Sequence, residues 1–484
     1  MNILLLAMSY FPGQKELGKD GHEFIRLKKS KYTYDDENPK EYYSQLEPIT
    51  RMLIEKGHRP DEIIILCTRE SVQDAYIKLE QNDQNEQEIS PFDFYIQRIN
   101  SFIKDDETIT YTKIPRAEDK YIDPGIPESK NNAIAEVADY LMERKNAGND
   151  LHIWIDTQGG MRDISLVTNA IVSLLKTSEV KIEGIYSINF LDRIGKIMNQ
   201  NSTYHIFEFV SGMNEFIQYG RADQLVNYYD LIGSEVPELV KLMKQLADAI
   251  MLCDLSKFDD VLVEIRESLN KENQIQDALF KIFVEQIESD YGNILKEDVS
   301  VLDKIQWFHK KKLYQQTLTY IESKSLEEWG ENKVIWFEAE QELPDDEKIA
   351  WNNMLNRYIG YVCKIRENMS EDNASVFKDI KEKIDYDLYW KKGNGRGWKR
   401  SLFPTNLSVN VHKCTYDFSV KTGKDIKPYD KNLFKMIAFY KLIKMERNLF
   451  NHMGTDKRMS IEVLDELIDE YVNISKQLYK YKDR

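Results

Sequence analysis

At 484 residues the chain is too long for one ordinary core and calls for two or three domains. Apolar residues make up 42% and charged residues 31%, the balance of a soluble globular protein. A formal net charge of −16 excludes nonspecific nucleic-acid binding through overall charge, so any nucleic-acid partner must meet a local basic patch.

Met1-Asn2-Ile3-Leu4-Leu5-Leu6-Ala7-Met8 has no basic flank and meets Tyr10-Phe11-Pro12 almost at once. It is too short for a signal peptide or a membrane span, and Ile3–Met8 reads as a buried first strand. A helix is predicted around Glu41–Lys56, then a second buried strand, Glu62–Cys67, ending in Thr68-Arg69 and followed by another helical stretch. Gln81–Glu88 reads as a polar surface loop, Thr108–Lys113 as a strand and Asn131–Lys145 as a helix. Leu151–Ile155 is a further buried strand with the helix Ile164–Leu175 behind it. Lys181–Asn189 and Thr203–Val210 are predicted strands that flank the turn at Asp192–Gly195. Short apolar strands separated by helices give a parallel, doubly wound α/β sheet.

After Ser211-Gly212 the patterns turn helical and strand signals nearly vanish, which places a domain boundary near 210–222 and an all-α remainder beyond it. Lys391–Arg400, built on Gly393-Asn394-Gly395-Arg396-Gly397, is a basic, glycine-rich interruption, read as a loop that guides a nucleic acid or as a mobile surface loop. Asp345-Asp346-Glu347-Lys348 and Glu327-Glu328 read as solvated surface charge, and His309 and His412 as structural. Cys67, Cys253, Cys363 and Cys414 lie far apart, in neither a zinc nor a disulfide spacing, which fits a reducing compartment. No other stretch approaches spanning length, so a cytoplasmic location without a membrane partner is expected.

Two constellations carry chemistry. In the first, Leu151-His152-Ile153-Trp154-Ile155 runs into Asp156-Thr157-Gln158-Gly159-Gly160-Met161-Arg162 and then a helix. Ligands of doubly wound sheets bind at the carboxyl ends of strands, beside helix N-termini. Paired glycines let backbone N–H groups approach a phosphate, and Arg162 adds a charge-assisted contact. Ser9-Tyr10 and Thr68-Arg69 end other strands on the same edge, giving polar groups around one cleft suited to a nucleotide. The plain alternative is a tight turn in which the glycines only satisfy backbone geometry. The spacing matches neither a dinucleotide fingerprint nor a phosphate-binding P-loop.

The second constellation is Glu446-Arg447-Asn448-Leu449-Phe450-Asn451-His452, near the end of a helix predicted over Asp430–Met453. An apolar stripe through Leu433, Met436, Ile437, Tyr440 and Ile443 is expected to continue at 447 and 451, where Arg447 and Asn451 stand. Asn448 and His452 share the adjacent face, and Gly454 supplies a helix stop. Two such helices meeting across a two-fold axis would set two arginines and two histidines around one phosphate-sized cleft. Metal-free RNA cleavage needs little more. The adjacent 2′-hydroxyl attacks, a histidine moves the proton, and an arginine stabilises the charge growing on the phosphorane oxygens. An ordinary surface pair is the plain alternative.

These two segments together resemble one family, the CRISPR-associated CARF–HEPN ribonucleases of type III systems. Arg447-Asn448-Leu449-Phe450-Asn451-His452 matches the Arg-x4-6-His motif of HEPN ribonucleases, and Asp156–Arg162 is similar to the signature loop of CARF domains. The loop departs from the common Asp-x-Thr-His-Gly form and is closer to a Thr-Gly-Gly-Thr-Lys variant, with Met161-Arg162 in place of Thr-Lys.

The resemblance implies a Rossmann-like CARF domain over 1–210, a helical region with linker and part of the effector over 211–390, and the C-terminal part of a HEPN domain over 391–484. It implies a homodimer that binds a cyclic oligoadenylate, with cyclic tetra-adenylate the expected ring, and then cuts single-stranded RNA without metal, leaving 2′,3′-cyclic phosphate ends. Arg447 and His452 would be catalytic and Asn448 supporting. Gln158, Gly159, Gly160 and Arg162 would contact the activator, with Ser9, Tyr10 and Thr68 lining the pocket. No cofactor besides the activator and no stable association with the CRISPR effector complex are implied. Two other readings are a non-catalytic, nucleotide-sensing dimeric regulator and a constitutive HEPN toxin-like ribonuclease.

Overall fold

The computed structural model describes residues 1–17, 21–35, 38–80, 86–104, 106–160, 162–177, 180–270, 278–339, 372–382, 406–411, 414–423, 430–451 and 458–479. The chain divides into two units, Met1–Phe207 and Glu208–Arg484. The strands of the first are β1 (Asn2–Ala7), β2 (Gln14–Leu17), β3 (Glu23–Leu27), β4 (Ser30–Tyr34), β5 (Lys40–Tyr42), β6 (Glu62–Leu66), β7 (Ala75–Leu79), β8 (Glu86–Ile89), β9 (Thr110–Ile114), β10 (His152–Asp156), β11 (Lys181–Leu191) and β12 (Ile194–Asn199).

The main sheet runs β5-β4-β12-β11-β10-β1-β6-β9. Its centre, β11-β10-β1-β6-β9, is parallel, with Leu5 opposite Ile64 on one side and Ile155 on the other. Taking these five strands in chain order, the spatial order is 3-2-1-4-5, so the direction of winding reverses between β1 and β10. Antiparallel pairings of β12 with β11 and of β5 with β4 make the whole sheet mixed.

The central strands are unbroken apolar runs because both faces are covered. Ile3, Leu5, Ile64, Leu66, Ile153 and Ile155 pack under the helices Pro127–Asn146 and Arg162–Thr177. Leu4, Leu6, Ile63, Ile65 and Trp154 face Glu47–Glu55 and Pro91–Asn100. Each buried leucine or isoleucine contributes roughly 1.5–3 kcal/mol, so β1, β6 and β10 anchor the unit.

Several expectations are corrected. Thr203–Val210 is not a strand but part of the helix Asn201–Tyr219, because Phe209, Met213 and Phe216 bury at helical spacing. The place beside β11 goes to β12. The helix expected from Glu41 starts at Glu47, with Pro48 in its first turn, and Lys40–Tyr42 pairs as a strand instead. The helical stretch after Thr68 is one turn, Arg69–Val72, followed by β7. A second sheet, β2-β3-β7-β8, takes in the end of the expected loop Gln81–Glu88; residues 81–85 lie outside those described.

The second unit is mainly helical, but strand structure does not vanish there. β13 (Ile335–Ala339), β14 (Asn406–Val411) and β15 (Cys414–Thr422) form an antiparallel sheet in the order β13-β15-β14. The helix Lys431–Asn451 packs against Tyr314–Glu331, Asn373–Glu382 and Ile461–Tyr479. His309 sits between Asp465 at 2.7 Å and Asp469 at 3.2 Å and ties Val301–Lys310 to Ile461–Tyr479. Glu327 is exposed, whereas Glu328 is buried and accepts a hydrogen bond from the Tyr479 hydroxyl at 2.9 Å, so that pair is not uniformly solvated charge. His412, Asp345–Lys348 and Lys391–Arg400 lie outside the described residues. Among the described residues no helix is long and apolar enough to cross a membrane.

Candidate functional site

The Gly-Gly loop sits at the carboxyl end of β10, where winding reverses beside β1. Asp156, the last residue of β10, is fully buried, and burial pushes its carboxyl up to about 7. Its Oδ1 accepts the Gln158 N–H at 2.8 Å, and Oδ2 has no hydrogen-bond partner. The Thr157 N–H and hydroxyl both donate to the Tyr186 carbonyl at 2.9 Å. Gln158 Oε1 accepts the Ile188 N–H at 2.9 Å, so this side chain bridges to β11.

The two glycines have separate reasons to be glycine. A Cβ on Gly159 would stand 1.7 Å from the Ala7 carbonyl oxygen, which no rearrangement of a side chain relieves. Gly160 has φ +82°, a left-handed conformation that costs other residues. The Gly160 N–H donates to Ser9 Oγ at 2.9 Å, and Ser9 Oγ also accepts from Gln45 Nε2 at 3.1 Å. Thus Ser9 and Gly160, far apart in sequence, are in direct contact across the switch point.

Tyr10 is exposed. Thr68 is buried at the end of β6, and its carbonyl accepts the Ser71 hydroxyl at 2.8 Å. Arg162 begins the following helix; its side chain and Met161 are outside what is described. Ser9, Thr68 and Gln158–Gly160 therefore occupy the same ends of three adjacent strands, β6, β1 and β10.

At the other constellation, the expected stripe is corrected. Leu433, Phe434, Met436 to Tyr440, Leu442, Ile443 and Glu446 are all buried, so the helix is enclosed around most of its circumference. The buried face reaches Glu446 and not Arg447. Neighbouring helices on several sides remove the single-stripe geometry that a one-sided helix would have.

Arg447 is half-buried, with Nε 3.2 Å from Glu322 Oε2. Its Nη1 donates to Asn448 Oδ1 at 3.4 Å, and Asn448 is exposed. Asn451 ends the helix; its side chain and all of His452 lie outside the described residues. Glu446 accepts from the Asn373 side-chain amide and from the Met459 N–H at 3.2 Å, and burial raises its carboxyl above the usual range. It thereby holds the chain on both sides of residues 452–457.

Glu322, Glu446 and Gln45 escape sequence reasoning. Only Glu446 leaves a signal, a charged residue in step with Met436, Phe439 and Ile443. Among the described residues no group of three or more His, Cys, Asp or Glu side chains is arranged to hold a metal ion.

No family model matches the chain, and no curated protein does. Among solved structures, Enterococcus italicus Csm6 bound to cyclic hexa-2′-fluoro-hexa-dAMP is similar, at 10% identity and a TM-score of 0.35, over 99% of this chain and 94% of that one. At that score the likeness fixes no residue of either constellation.

Proposed function

We propose that this chain is a cyclic-oligoadenylate-activated, metal-independent endonuclease for single-stranded RNA, of the CARF–HEPN kind and acting in type III CRISPR defence. The observation that carries the reading is the pairing of two features in one chain. One is a Gly-Gly loop tied to Ser9 at the switch point of a 3-2-1-4-5 sheet. The other is Arg447 at the end of an enclosed helix, one turn before Asn451-His452.

In this reading residues 1–210 form the sensor, 211–390 a helical region and part of the effector, and 391–484 the rest of the nuclease. Ser9, Tyr10, Thr68, Gln158, Gly159, Gly160 and Arg162 surround the activator. Gly160 N–H and Ser9 Oγ, now bonded to each other, are the pair an activator phosphate would separate and engage. Two copies bring two Arg447–His452 sets to one RNA phosphate. The 2′-hydroxyl attacks phosphorus as the P–O5′ bond breaks, the two histidines between them take the 2′-proton and protonate the leaving 5′-oxygen, Arg447 steadies the phosphorane, and Asn448 supports Arg447. The protein works in the cytoplasm as a homodimer, without a resident cofactor and without stable attachment to the effector complex.

The test is to incubate the protein with end-labelled RNA and each cyclic oligoadenylate in EDTA. Cleavage with one ring size, leaving 2′,3′-cyclic phosphate ends, is expected. Cleavage without any added nucleotide would make it a constitutive ribonuclease. Ligand-dependent dimerisation without cleavage under any condition would make it a regulator.

A further inference from the structure

The Arg447 guanidinium has three edges, and the surrounding structure occupies them unequally. Its Nε is buried and faces Glu322 Oε2 at 3.2 Å, with the N–H not aligned on that oxygen, so charge rather than a directed hydrogen bond holds the pair. The other Glu322 oxygen, Oε1, is 3.4 Å from Lys444 Nζ, one turn earlier on the same helix. One carboxylate thus bridges two cations along one side of Lys431–Asn451.

The carboxylate is itself fixed. Glu322 lies inside the helix Tyr314–Glu331, and its carbonyl accepts the Tyr440 hydroxyl at 3.1 Å. Tyr440 is buried and packs edge-on against Trp329 at 5.2 Å, so the backbone carrying Glu322 is pinned to the helix carrying Arg447. Side-chain exposure is 20% for Glu322 and 31% for Arg447, so screening is partial and the arginine still reaches solvent. Nη1 donates to Oδ1 of exposed Asn448 at 3.4 Å.

We infer that Glu322 is the positioning residue of the nuclease site: it holds Arg447 by the Nε edge and stays off the Nη edge, where Nη1 meets exposed Asn448, so that this edge serves the scissile phosphate. The inference rests on the function proposed above. A phosphate is best recognised by two parallel N–H groups, which an arginine offers only when its plane is fixed. A carboxylate that restrained the enzyme would instead lie across the Nη pair and compete with the phosphate.

The test compares full-length wild type with Glu322→Ala, Glu322→Gln and Arg447→Ala. kcat and KM for labelled RNA are measured in EDTA with cyclic tetra-adenylate and with cyclic hexa-adenylate, alongside thermal melting. Glu322→Ala is expected to lower kcat about tenfold, the scale of one charge-assisted contact, with KM within about twofold. Glu322→Gln keeps one acceptor oxygen and is expected to fall between Ala and wild type, with unchanged melting. Wild-type kcat in both Glu322 variants while Arg447→Ala is inactive would overturn the inference and spare the proposed function. A higher rate in Glu322→Gln would overturn it by showing restraint. Equal loss in both variants together with lowered melting would overturn it in favour of a role in folding. Full cleavage by Arg447→Ala would defeat the proposed function and this inference with it.

Discussion

The loop at the sheet switch point and the end of the enclosed helix solve opposite problems. The loop's polar groups mostly bond to their near surroundings, Gly160 N–H to Ser9, Gln158 N–H to Asp156 and Gln158 Oε1 to the β11 backbone, with Asp156 Oδ2 left without a partner. Its glycines are dictated by the approach to Ala7 and by a left-handed φ. The helix end instead concentrates charge, with Lys444 and Arg447 held by Glu322 and a buried carboxylate at Glu446. A loop bonded in this way changes only when other partners replace its bonds. The helix end holds its charges in fixed ion pairs. The difference teaches that, under the proposed function, a sensing loop and a cleaving helix end are told apart by how their polar groups are satisfied at rest.

The sharpest way to break this contrast is at the helix end. Arg447→Ala and His452→Ala are each expected to lower RNA cleavage by about a thousandfold or more, leaving melting temperature and activator binding unchanged. Binding is read by isothermal titration with cyclic tetra-adenylate, and parallel loss of binding would erase the division of labour.

The next largest effect belongs to the loop. Gly159→Ala places a methyl carbon against the Ala7 carbonyl and is expected to destabilise the first unit by about 3 kcal/mol, read by urea unfolding. Gly160→Ala is expected to cost less, about 1–2 kcal/mol, from its left-handed φ and from contacts of 3.0–3.2 Å to the Ala7 and Ile164 side chains, which can shift where a carbonyl cannot. Equal effects would mean that the approach to β1 is not what fixes the loop.

A pH series sharpens the comparison further. Burial raises the Asp156 carboxyl from an ordinary 3.8 to about 7, so the folded state holds its proton more tightly than the unfolded chain does. The stability this contributes is complete below pH ~4 and is lost as pH rises to ~7. Asp156→Asn is therefore expected to flatten that slope and to be more stable than wild type at pH 8 by on the order of 2–3 kcal/mol. Urea midpoints at pH 5 and pH 8 check it, and an unchanged slope would show that Asp156 is ionised in the fold. The smallest effect expected is Ser9→Ala, about 1 kcal/mol, from leaving the Gly160 N–H without its acceptor.

What the sequence discloses follows from burial. β1, β6 and β10 are legible because strands covered on both faces are unbroken apolar runs. β2 and β8 are not, because short, largely exposed strands such as Gln14–Leu17 carry no apolar signal. Thr203–Val210 misleads because its aromatic and β-branched residues favour a strand, while Phe209, Met213 and Phe216 pack at helical spacing. The stripe leading to Arg447 misplaces its end by one residue because a helix enclosed on several sides has no single face. Ser9 and the Gly-Gly loop are legible as strand ends of one sheet. Glu322 is not, because an ion pair between distant helices leaves no local pattern, and Glu328 hides beside solvated Glu327.

In the proposed function a ligand bound at the loop governs cleavage at the helix end. The most direct measurement is the initial rate of cleavage of labelled single-stranded RNA by wild-type protein, titrated with cyclic tetra-adenylate and separately with cyclic hexa-adenylate, in EDTA. A rate near background without nucleotide that rises and saturates with one of the rings is the predicted result. A rate independent of both rings, whether zero or already maximal, would contradict it.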